Sequence, residues 1–470
     1  MVSEHLSAFD RGRIPAHHMW QVRESLVMLV QLQSDNGKRR KRMLEAGAPL
    51  ELLSSRYHKS LNDMVTSNFV LLTNHYMSYD MWSRPYRVYD LPSVDNIYEQ
   101  FSSHRFYELT GFWPVQVQEI CQNLSLIGDT IVCQSTRCTA PKDLAVFVLL
   151  PCWHIAGTWE LVAADMRRQR GWCIQIYLAI FQQLKDHYRK CVRVLDFRRI
   201  VPLLDTWSDM MVHCTGCEKD VLFFADGKPW QMSRPGKGQA VRELIAAAGT
   251  VDYNLMQRAY YNGHYKYHGA KVQHVLQADG MVHSFTCPIR NHDAMVLRSS
   301  AMITMLSVLY INDDPNRPVK SVTDKAYGRS LHFRPFHTDA ELRMMNPYLR
   351  AVAEAMDRSN KKSRLAVEGS FMNQVTKFKF IDCFKKHRIF QNGQSKWSEL
   401  RCLWDLQSFM FNLFTCSDSC GSPVTGILGI PPPTVAGYLH SCNNNLLVPI
   451  PLEDPDDHLA VEAGEYQYYL

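Results

Sequence analysis

The sequence of 470 residues lacks several features that would place it outside the cell or in a membrane. It has no apolar stretch of about 18 residues, the length that predicts a transmembrane helix. Its first 30 residues mix charged and apolar side chains, unlike a secretory signal peptide. Its 14 cysteines are too sparse for a disulfide scaffold. We therefore expect a soluble intracellular protein with reduced cysteines and no membrane partner.

A strong excess of one charge is also missing. The net charge is +6 and the pI is about 8.5, which permits a polyanionic partner without requiring one. A hydrophobic content of 46% and a charged content of 21% are typical of a globular protein. The length predicts two to four domains.

Metal-binding cysteine and histidine motifs are incomplete. His213, Cys214 and Cys217 lie close together in the sequence, but no second ligand pair lies nearby. A looser set has irregular spacing and a proline run within it: Cys416, Cys420, His440 and Cys442. Structural zinc sites need four ligands, usually as two close pairs. We interpret these cysteines as reduced structural residues.

The first 105 residues predict a leader that contains one exposed basic run. Five cations occur in a row and cannot pack into a core: Lys38, Arg39, Arg40, Lys41 and Arg42. Such a run predicts a nuclear import signal or a phosphate-contacting patch, and the alternative is an ordinary solvated loop. No role follows from the sequence of residues 56–105.

Residues 106–215 predict a helical region with a candidate helix-turn-helix. Predicted helices at 158–166 and 172–187 are joined by a short segment that contains three arginines. In that motif the second helix enters the DNA major groove, and the alternative is a plain helical bundle. In either case we expect one face of the second helix to be core: Ile174, Tyr177, Leu178, Phe181 and Leu184.

Residues 216–416 predict a mixed α/β sheet flanked by helices. The apolar run 221–225 predicts a buried strand that ends at Asp226-Gly227. Asp279-Gly280 predicts the turn of an antiparallel hairpin. A strand at 318–322 and helices at 339–356 and 364–380 follow. This order is compatible with a ribonuclease-H-like fold, and residues 417–470 predict a proline-rich flexible tail.

Three acids in this region form a candidate catalytic cluster: Asp226, Asp293 and Glu368. Cleavage of a phosphodiester needs an activated nucleophile and a neutralised leaving oxygen, and two divalent ions can supply both. Asp226 would bridge the ions, with Asp293 and Glu368 on either side. Each acid alone has an ordinary explanation, because Asp before Gly often forms a turn and a helical Glu is often solvated. Their spacing therefore carries little specificity.

The flanking sequences carry more specificity. In order, the chain contains FFADGKPWQMSRPG, AYYNGHYKYHGAKVQHVLQADGMVHSF, RNHDAMVL, SVTDKAYG with a following FRPF, and RLAVEGSF. Residues 216–416 thereby resemble the DDE superfamily endonuclease domain of Harbinger/PIF transposases, and residues 106–200 resemble the helical region of that family. The resemblance implies that Asp226, Asp293 and Glu368 are the catalytic and metal-binding acids. It also assigns supporting roles to His292, Asp324 and Arg364, and it includes Tyr327.

The resemblance implies a nuclear, Mg²⁺- or Mn²⁺-dependent transposase that cleaves DNA at transposon ends. It also implies a separately encoded DNA-binding partner, and it leaves a homo-oligomer open. Five cations are candidate phosphate contacts, with ordinary solvated charge as the alternative: Lys228, Arg234, Lys237, Lys271 and Lys377. Two alternative functions are an inactive DNA-binding or scaffold protein that retains the fold, and a host nuclease unrelated to mobile elements.

Overall fold

The structure, a computed structural model, describes residues 96–156, 159–234, 258, 260–289, 293, 296, 302–325, 327–383, 387–388, 390–391, 394–395, 397–417 and 423–443. All of these residues belong to one compact unit, Ser93–Leu470. Across these residues, none of the helices combines the length and the apolar character needed to cross a lipid bilayer.

The helices are α1 Ile97–Gln100, α2 Ser103–Thr110, α3 Pro114–Asn123, α4 Lys142–His154, α5 Trp159–Met166, α6 Arg170–Tyr188, α7 Phe197–Ile200, α8 Leu204–Thr215, α9 Met302–Ser307, α10 Asp339–Met344, α11 Pro347–Lys377, α12 Trp397–Ser417, α13 Pro423–Leu428 and α14 Val435–Asn443. The strands are β1 Thr130–Val132, β2 Thr139–Pro141, β3 Val221–Gln231, β4 Tyr261–Asn262, β5 Tyr267–Gln277, β6 Val282–Pro288, β7 Lys320–Thr323, β8 Phe333–Pro335, β9 Phe390–Gln391 and β10 Gln394–Ser395.

A six-stranded mixed sheet forms the centre of the α/β region. Strand β5 pairs antiparallel with β3 on one side, and with β4 and β6 on the other. On the far side of β3, strands β7 and β8 add in parallel. The predicted mixed α/β class with an antiparallel pair is therefore confirmed. The predicted hairpin is confirmed too, since β5 and β6 flank a turn in which Gly280 has a φ of 85°.

Two helices lie almost entirely inside the protein. Every residue from Leu144 to Trp153 of α4 is buried, and α12 is buried along nearly its whole length. From Leu144 to Trp153, α4 is apolar on all sides, as expected of a helix in a core. Helix α12 also buries polar side chains, among them Asp405, which pairs with Arg189 and Arg193. Helix α12 contacts α6, α11 and β6, so one continuous core joins the helical region to the sheet.

The buried face of α6 differs from the predicted one. The side chains in the core are Cys173, Ile176, Ile180, Leu184 and Tyr188. Of the predicted face only Leu184 is fully buried, and Leu178 is 51% exposed. Both faces are apolar, so the 3.6-residue period could not choose between them. Helices α5 and α6 are consecutive and in contact, as a helix-turn-helix requires, but their binding to DNA stays a prediction.

The two helices predicted at 339–356 and 364–380 are divided differently. The break lies at Asn346-Pro347, where the Asn346 side chain caps α11 and Pro347 takes its first position. Helix α11 then continues without interruption to Lys377, through Glu368-Gly369. Its C-terminal half packs across β3 and β5.

Part of the predicted tail is helical. Helix α14 buries Val435, Leu439 and Cys442 against the core and contacts α3 and α12. The Asn443 side chain accepts a hydrogen bond from the Tyr188 hydroxyl at 2.7 Å. Within the residues described, this segment is therefore an integral part of the fold.

Candidate active site

Strand β3 carries Asp226 just beyond the point where its pairing with β7 ends. Its first five residues are fully buried, and its parallel pairing with β7 ends at Phe224–Val322. Asp226 and Asp324 each lie two residues beyond this last pair, at equivalent positions on the two neighbouring chain segments. The expectation that β3 ends at Asp226 is wrong, because antiparallel pairing with β5 extends β3 to Gln231. The carboxyl ends of parallel strands are where α/β sheets usually bind ligands.

Asp293 is brought against the backbone of β3 by a glycine. A Cβ atom added to Gly227 would lie 2.4 Å from Asp293 Oδ1, so only glycine allows this approach. On its other side, Asp293 Oδ1 lies 2.8 Å from Lys271 Nζ of β5. Asp293 therefore lies against the strand that carries Asp226, and its charge contributes to the raised pKa of the Asp226 carboxyl.

We expect Gly227→Ala to displace Asp293 and to reduce the nicking activity implied by the resemblance by about a hundredfold, since a misplacement of about 1 Å can have that effect. The fold should persist, because the nearest obstacle is a side-chain carboxylate rather than backbone. Thermal unfolding and plasmid nicking measured together would check this. Gly263→Ala is the matched control, because no atom lies within 4 Å of its added Cβ. Equal nicking rates in the two variants would contradict the placement of Asp293.

Helix α11 contributes Arg364 and Glu368 from the opposite side. Arg364 Nη2 lies 3.0 Å from Asp226 Oδ2 and 3.3 Å from Glu368 Oε1, and Arg364 Nη1 lies 3.9 Å from Asp324 Oδ1. Because Asp226 and Glu368 touch the same nitrogen, their oxygens cannot be farther apart than the sum of those two distances. One guanidinium thus contacts an acid of β3, an acid of α11 and Asp324, which follows β7.

The buried face of α11 fixes this position. Phe371 stacks on His274 of β5 with ring centroids 3.9 Å apart, and His274 lies opposite Asp226 in the β3–β5 pairing. One turn further, Gln374 donates a hydrogen bond to Ser408 of α12 at 3.0 Å. Glu368 lies next to this buried face and keeps 47% of its side chain exposed. The helix therefore presents Glu368 to solvent while its neighbours hold it on the sheet.

Burial governs the electrostatics of the site. Burial raises the pKa of the Asp226 carboxyl; Arg364 and the Gly227 N–H oppose this rise, and Asp293 adds to it. Burial likewise raises the pKa of the Tyr327 hydroxyl, with further contributions from Asp293 and Asp226. That hydroxyl accepts a hydrogen bond from Gln273 Nε2 at 2.8 Å. The site therefore contains partly buried carboxylates beside a neutral tyrosine, an environment that attracts cations.

The cations predicted to contact phosphates lie in different parts of the structure. Lys271 pairs with Asp293 inside the acid cluster. Lys228 lies near α11, with its Nζ 3.8 Å from Met372 Sδ, and Arg234 is exposed. The remaining predictions on Lys237, His292 and the basic run 38–42 lie outside the described residues.

Lys377 does not fit the predicted role of a phosphate contact. It is 5% exposed, and its Nζ donates a hydrogen bond to the Gly111 carbonyl. The same ammonium lies 3.3 Å from the ring centroid of Phe414 and 4.8 Å from that of Phe112. Cation–π contacts and a charge-assisted hydrogen bond explain how this cation tolerates burial. Lys377 therefore joins the end of α11 to the helical region.

We expect Lys377→Met to lower the free energy of unfolding by about 2 kcal/mol, since it removes these contacts but retains a similar apolar stem. The salt dependence of DNA binding should stay unchanged.

In Lys228→Met, by contrast, the slope of log affinity against log salt should fall by about one, as for the loss of one phosphate contact. Denaturant unfolding and DNA titrations at several salt concentrations would measure both effects. A smaller salt slope with unaltered stability in Lys377→Met would restore its predicted role.

The donor set of the cluster is compatible with a hard divalent cation, because Asp226, Asp293, Asp324 and Glu368 offer only carboxylate oxygens. Within the part of the chain that the structure describes, no group of three or more His, Cys, Asp or Glu side chains is arranged to hold a metal ion. The ammonium of Lys271 and the guanidinium of Arg364 lie against these carboxylates and neutralise them. A metal could therefore bind if the Arg364 side chain moved aside.

Comparisons with known proteins give no further assignment: no family model matches the chain, and no significant match exists among curated proteins or solved structures. Two contacts of Asp293 are not predicted by the sequence: its close approach to Gly227 and its ion pair with Lys271. The Asp226-Gly227 pair was visible as a strand-ending dipeptide, but nothing local to it indicated that residue 293 would touch the glycine.

Proposed function

We propose that the chain is a transposase-type DNA endonuclease that cleaves phosphodiester bonds with two divalent ions held by Asp226, Asp293 and Glu368. The observation that carries this proposal is the convergence of acids that are distant in sequence. Asp226 and Asp324 each lie two residues beyond the last parallel pair of β3 and β7, Asp293 approaches the residue after Asp226, and Glu368 shares a guanidinium with Asp226.

The sheet supports a ribonuclease-H-like fold within this proposal. Strands β3, β5 and β6 form an antiparallel meander, and β7 and β8 extend the sheet in parallel from the other side of β3. That order agrees with the interpretation made from the sequence. The first acid lies on the central strand and the third on a helix that packs across the sheet, so the fold would bring both to one side.

The residues of the cluster would have separate roles in cleavage. Asp226, Asp293 and Glu368 would hold the cations through their carboxylate oxygens. Bound Mg²⁺ or Mn²⁺ would supply activation of the nucleophile and neutralisation of the leaving oxygen. Arg364 would hold Asp226 and Glu368 at the correct separation before DNA arrives. Lys228 on β3 and Arg234, three residues after its end, would contact phosphates of the DNA strand.

The same proposal includes action in the nucleus, recognition of transposon ends and subsequent strand transfer by the freed 3′-hydroxyl. DNA recognition would use the α5–α6 pair or a separately encoded DNA-binding protein. A homo-oligomer would place two such sites on the two ends of one element.

The test is nicking of a supercoiled plasmid that carries the terminal repeats flanking the gene. We expect cleavage by the wild type in Mg²⁺, none in EDTA, and a loss of at least a hundredfold in Asp226→Ala. Asp129→Ala serves as the control, because Asp129 is 97% exposed and lies in the loop before β1. Equal cleavage by wild type and Asp226→Ala would overturn the proposed mechanism.

An inactive DNA-binding or scaffold protein is the second candidate. The observation that favours it is the pairing of Asp226 with Arg364 and of Asp293 with Lys271, which satisfies these acids without a metal. This candidate expects DNA binding without cleavage in Mg²⁺ or Mn²⁺. It also expects Asp226→Ala to affect stability alone, so the plasmid assay with a parallel unfolding measurement separates the two functions.

A further inference from the structure

A cavity of about 390 Å³ opens beside the acid cluster. Its lining includes Lys325, which follows β7, and Phe336 and His337, which follow β8. The lining also includes Leu342 of α10 and residues from the middle of α11, among them Arg358 and Lys361. Its volume lies within the range of pockets that bind small ligands.

The cavity and the acid cluster share one residue. Arg364 lines the cavity and also contacts Asp226 at 3.0 Å. On α11, Lys361, Arg364 and Glu368 are spaced by three and four residues, so they follow one face of the helix from the cavity to the acids. The Arg364 side chain would therefore contact both a ligand in the cavity and the carboxylates of the proposed cleavage site.

The lining combines an aromatic ring with cations. Phe336 is partly exposed, and the Arg364 guanidinium lies 5.8 Å from its ring centroid. Arg358 and Lys361 are exposed, and Lys325 is 47% exposed. Aromatic rings stack on nucleobases, whereas exposed cations contact phosphates. The pairing of these two features is typical of a site for single-stranded nucleic acid.

The acidic residues of the lining are already engaged. The Asp357 carboxylate accepts hydrogen bonds from the His337 backbone and ring, each at 3.0 Å. Glu354 accepts one from Arg350 at 2.8 Å. Among the lining cations, Lys325 pairs with Asp339 and Arg364 with the acids of the cluster, so Arg358 and Lys361 are the cations that would meet a ligand. A paired duplex is too wide to enter a cavity of this volume, whereas a single unstacked base with its phosphate fits.

Building on the proposed function, we propose that this cavity binds one unpaired nucleotide of the DNA strand next to the scissile phosphate. The base stacks on Phe336, and Arg358 and Lys361 contact its phosphate. The protein thereby selects DNA in which base pairing is broken beside the cleavage position. Extruding a base that is already unpaired costs little, so such DNA gains the stacking energy without the cost of opening a pair.

The test compares two short labelled duplexes by fluorescence anisotropy, in EDTA and at one salt concentration, with the full-length protein. One duplex is continuous, and the other contains a single unpaired thymidine. We expect the wild type to bind the bulged duplex about tenfold more tightly, since one base–aromatic stack is worth about 1–3 kcal/mol. The preference should largely disappear in Phe336→Leu, which retains an apolar side chain, and in Lys361→Gln.

Matched controls lie outside the cavity. Tyr348→Leu removes an aromatic ring that is 76% exposed on α11, and Arg343→Gln removes an exposed cation from α10. Both should keep the preference for the bulged duplex. Thymidine monophosphate at millimolar concentration should compete weakly, because it lacks the flanking strand.

Three results would overturn the proposal: equal affinity of the wild type for both duplexes, retention of the preference in folded Phe336→Leu, or loss of it in both controls. Tight binding of thymidine monophosphate without a bulge preference would assign the cavity to a free nucleotide and would also overturn it. Because binding is measured without metal, absence of nicking would reject the endonuclease alone, whereas nicking without bulge preference would reject the nucleotide site alone.

Discussion

Glu368→Gln is expected to slow Mg²⁺-dependent nicking by about a thousandfold, or about 4 kcal/mol, while changing the free energy of unfolding by less than about 1 kcal/mol. The side chain is 47% exposed, and its contact with Arg364 at 3.3 Å is a solvent-accessible ion pair of small energetic value. Its carboxylate charge, however, would complete the cation site. A large kinetic effect with little loss of stability is the pattern expected of a metal-binding acid.

Glu108→Gln is the matched control for this measurement. Glu108 is a helical glutamate with a 40% exposed side chain, and it also contacts an arginine, Arg105, at 3.3 Å. Its replacement should have the same small effect on unfolding and none on nicking. If Glu368→Gln nicks DNA as fast as this control, Glu368 is an ordinary surface residue, and the third acid must be sought elsewhere, with Asp324 as the first candidate.

In the α/β region, the positions of helices and strands could be predicted from the sequence better than the contacts between them. Local signals were sufficient for the buried strand at Val221, the hairpin at Asp279-Gly280 and the helix that carries Glu368. The predicted division of α11 was wrong, because the helix begins at the Asn346-Pro347 cap and continues through the polar stretch at 357–364. These are properties of neighbouring residues, which a sequence displays directly.

Long-range contacts could not be predicted in the same way. The burial of Lys377 depends on Gly111 and Phe112, from the loop between α2 and α3, and on Phe414 of α12. No pattern near residue 377 indicates that these distant groups surround it. The same holds for Arg364, whose position one turn before Glu368 was visible, whereas its contacts with Asp226 and Asp324 depend on how α11 crosses the sheet.

These contacts make Arg364 the residue that determines the charge balance of the site. In the structure its guanidinium offsets the charges of Asp226, Glu368 and Asp324, three acids that would otherwise face one another. A divalent cation in the same region would supply the same compensation. The arginine and the metal are therefore expected to compete for the carboxylates, and removal of the first should strengthen the binding of the second.

Arg364→Gln is accordingly expected to lower the free energy of unfolding by about 2–3 kcal/mol without metal, because it leaves partly buried acids unpaired. Saturating Mn²⁺ or Mg²⁺ should then raise the melting temperature of the variant by several degrees more than that of the wild type, since binding to the folded state alone stabilises it. Thermal unfolding with and without metal, and calorimetric titration with Mn²⁺, would measure this. Arg317→Gln is the control, because Arg317 is similarly exposed and pairs with Asp205 at 2.8 Å and Asp220 at 3.0 Å away from the cluster. Both variants should lose stability, but only Arg364→Gln should recover it with metal; equal recovery in the two would show that the carboxylates around Arg364 do not form the cation site.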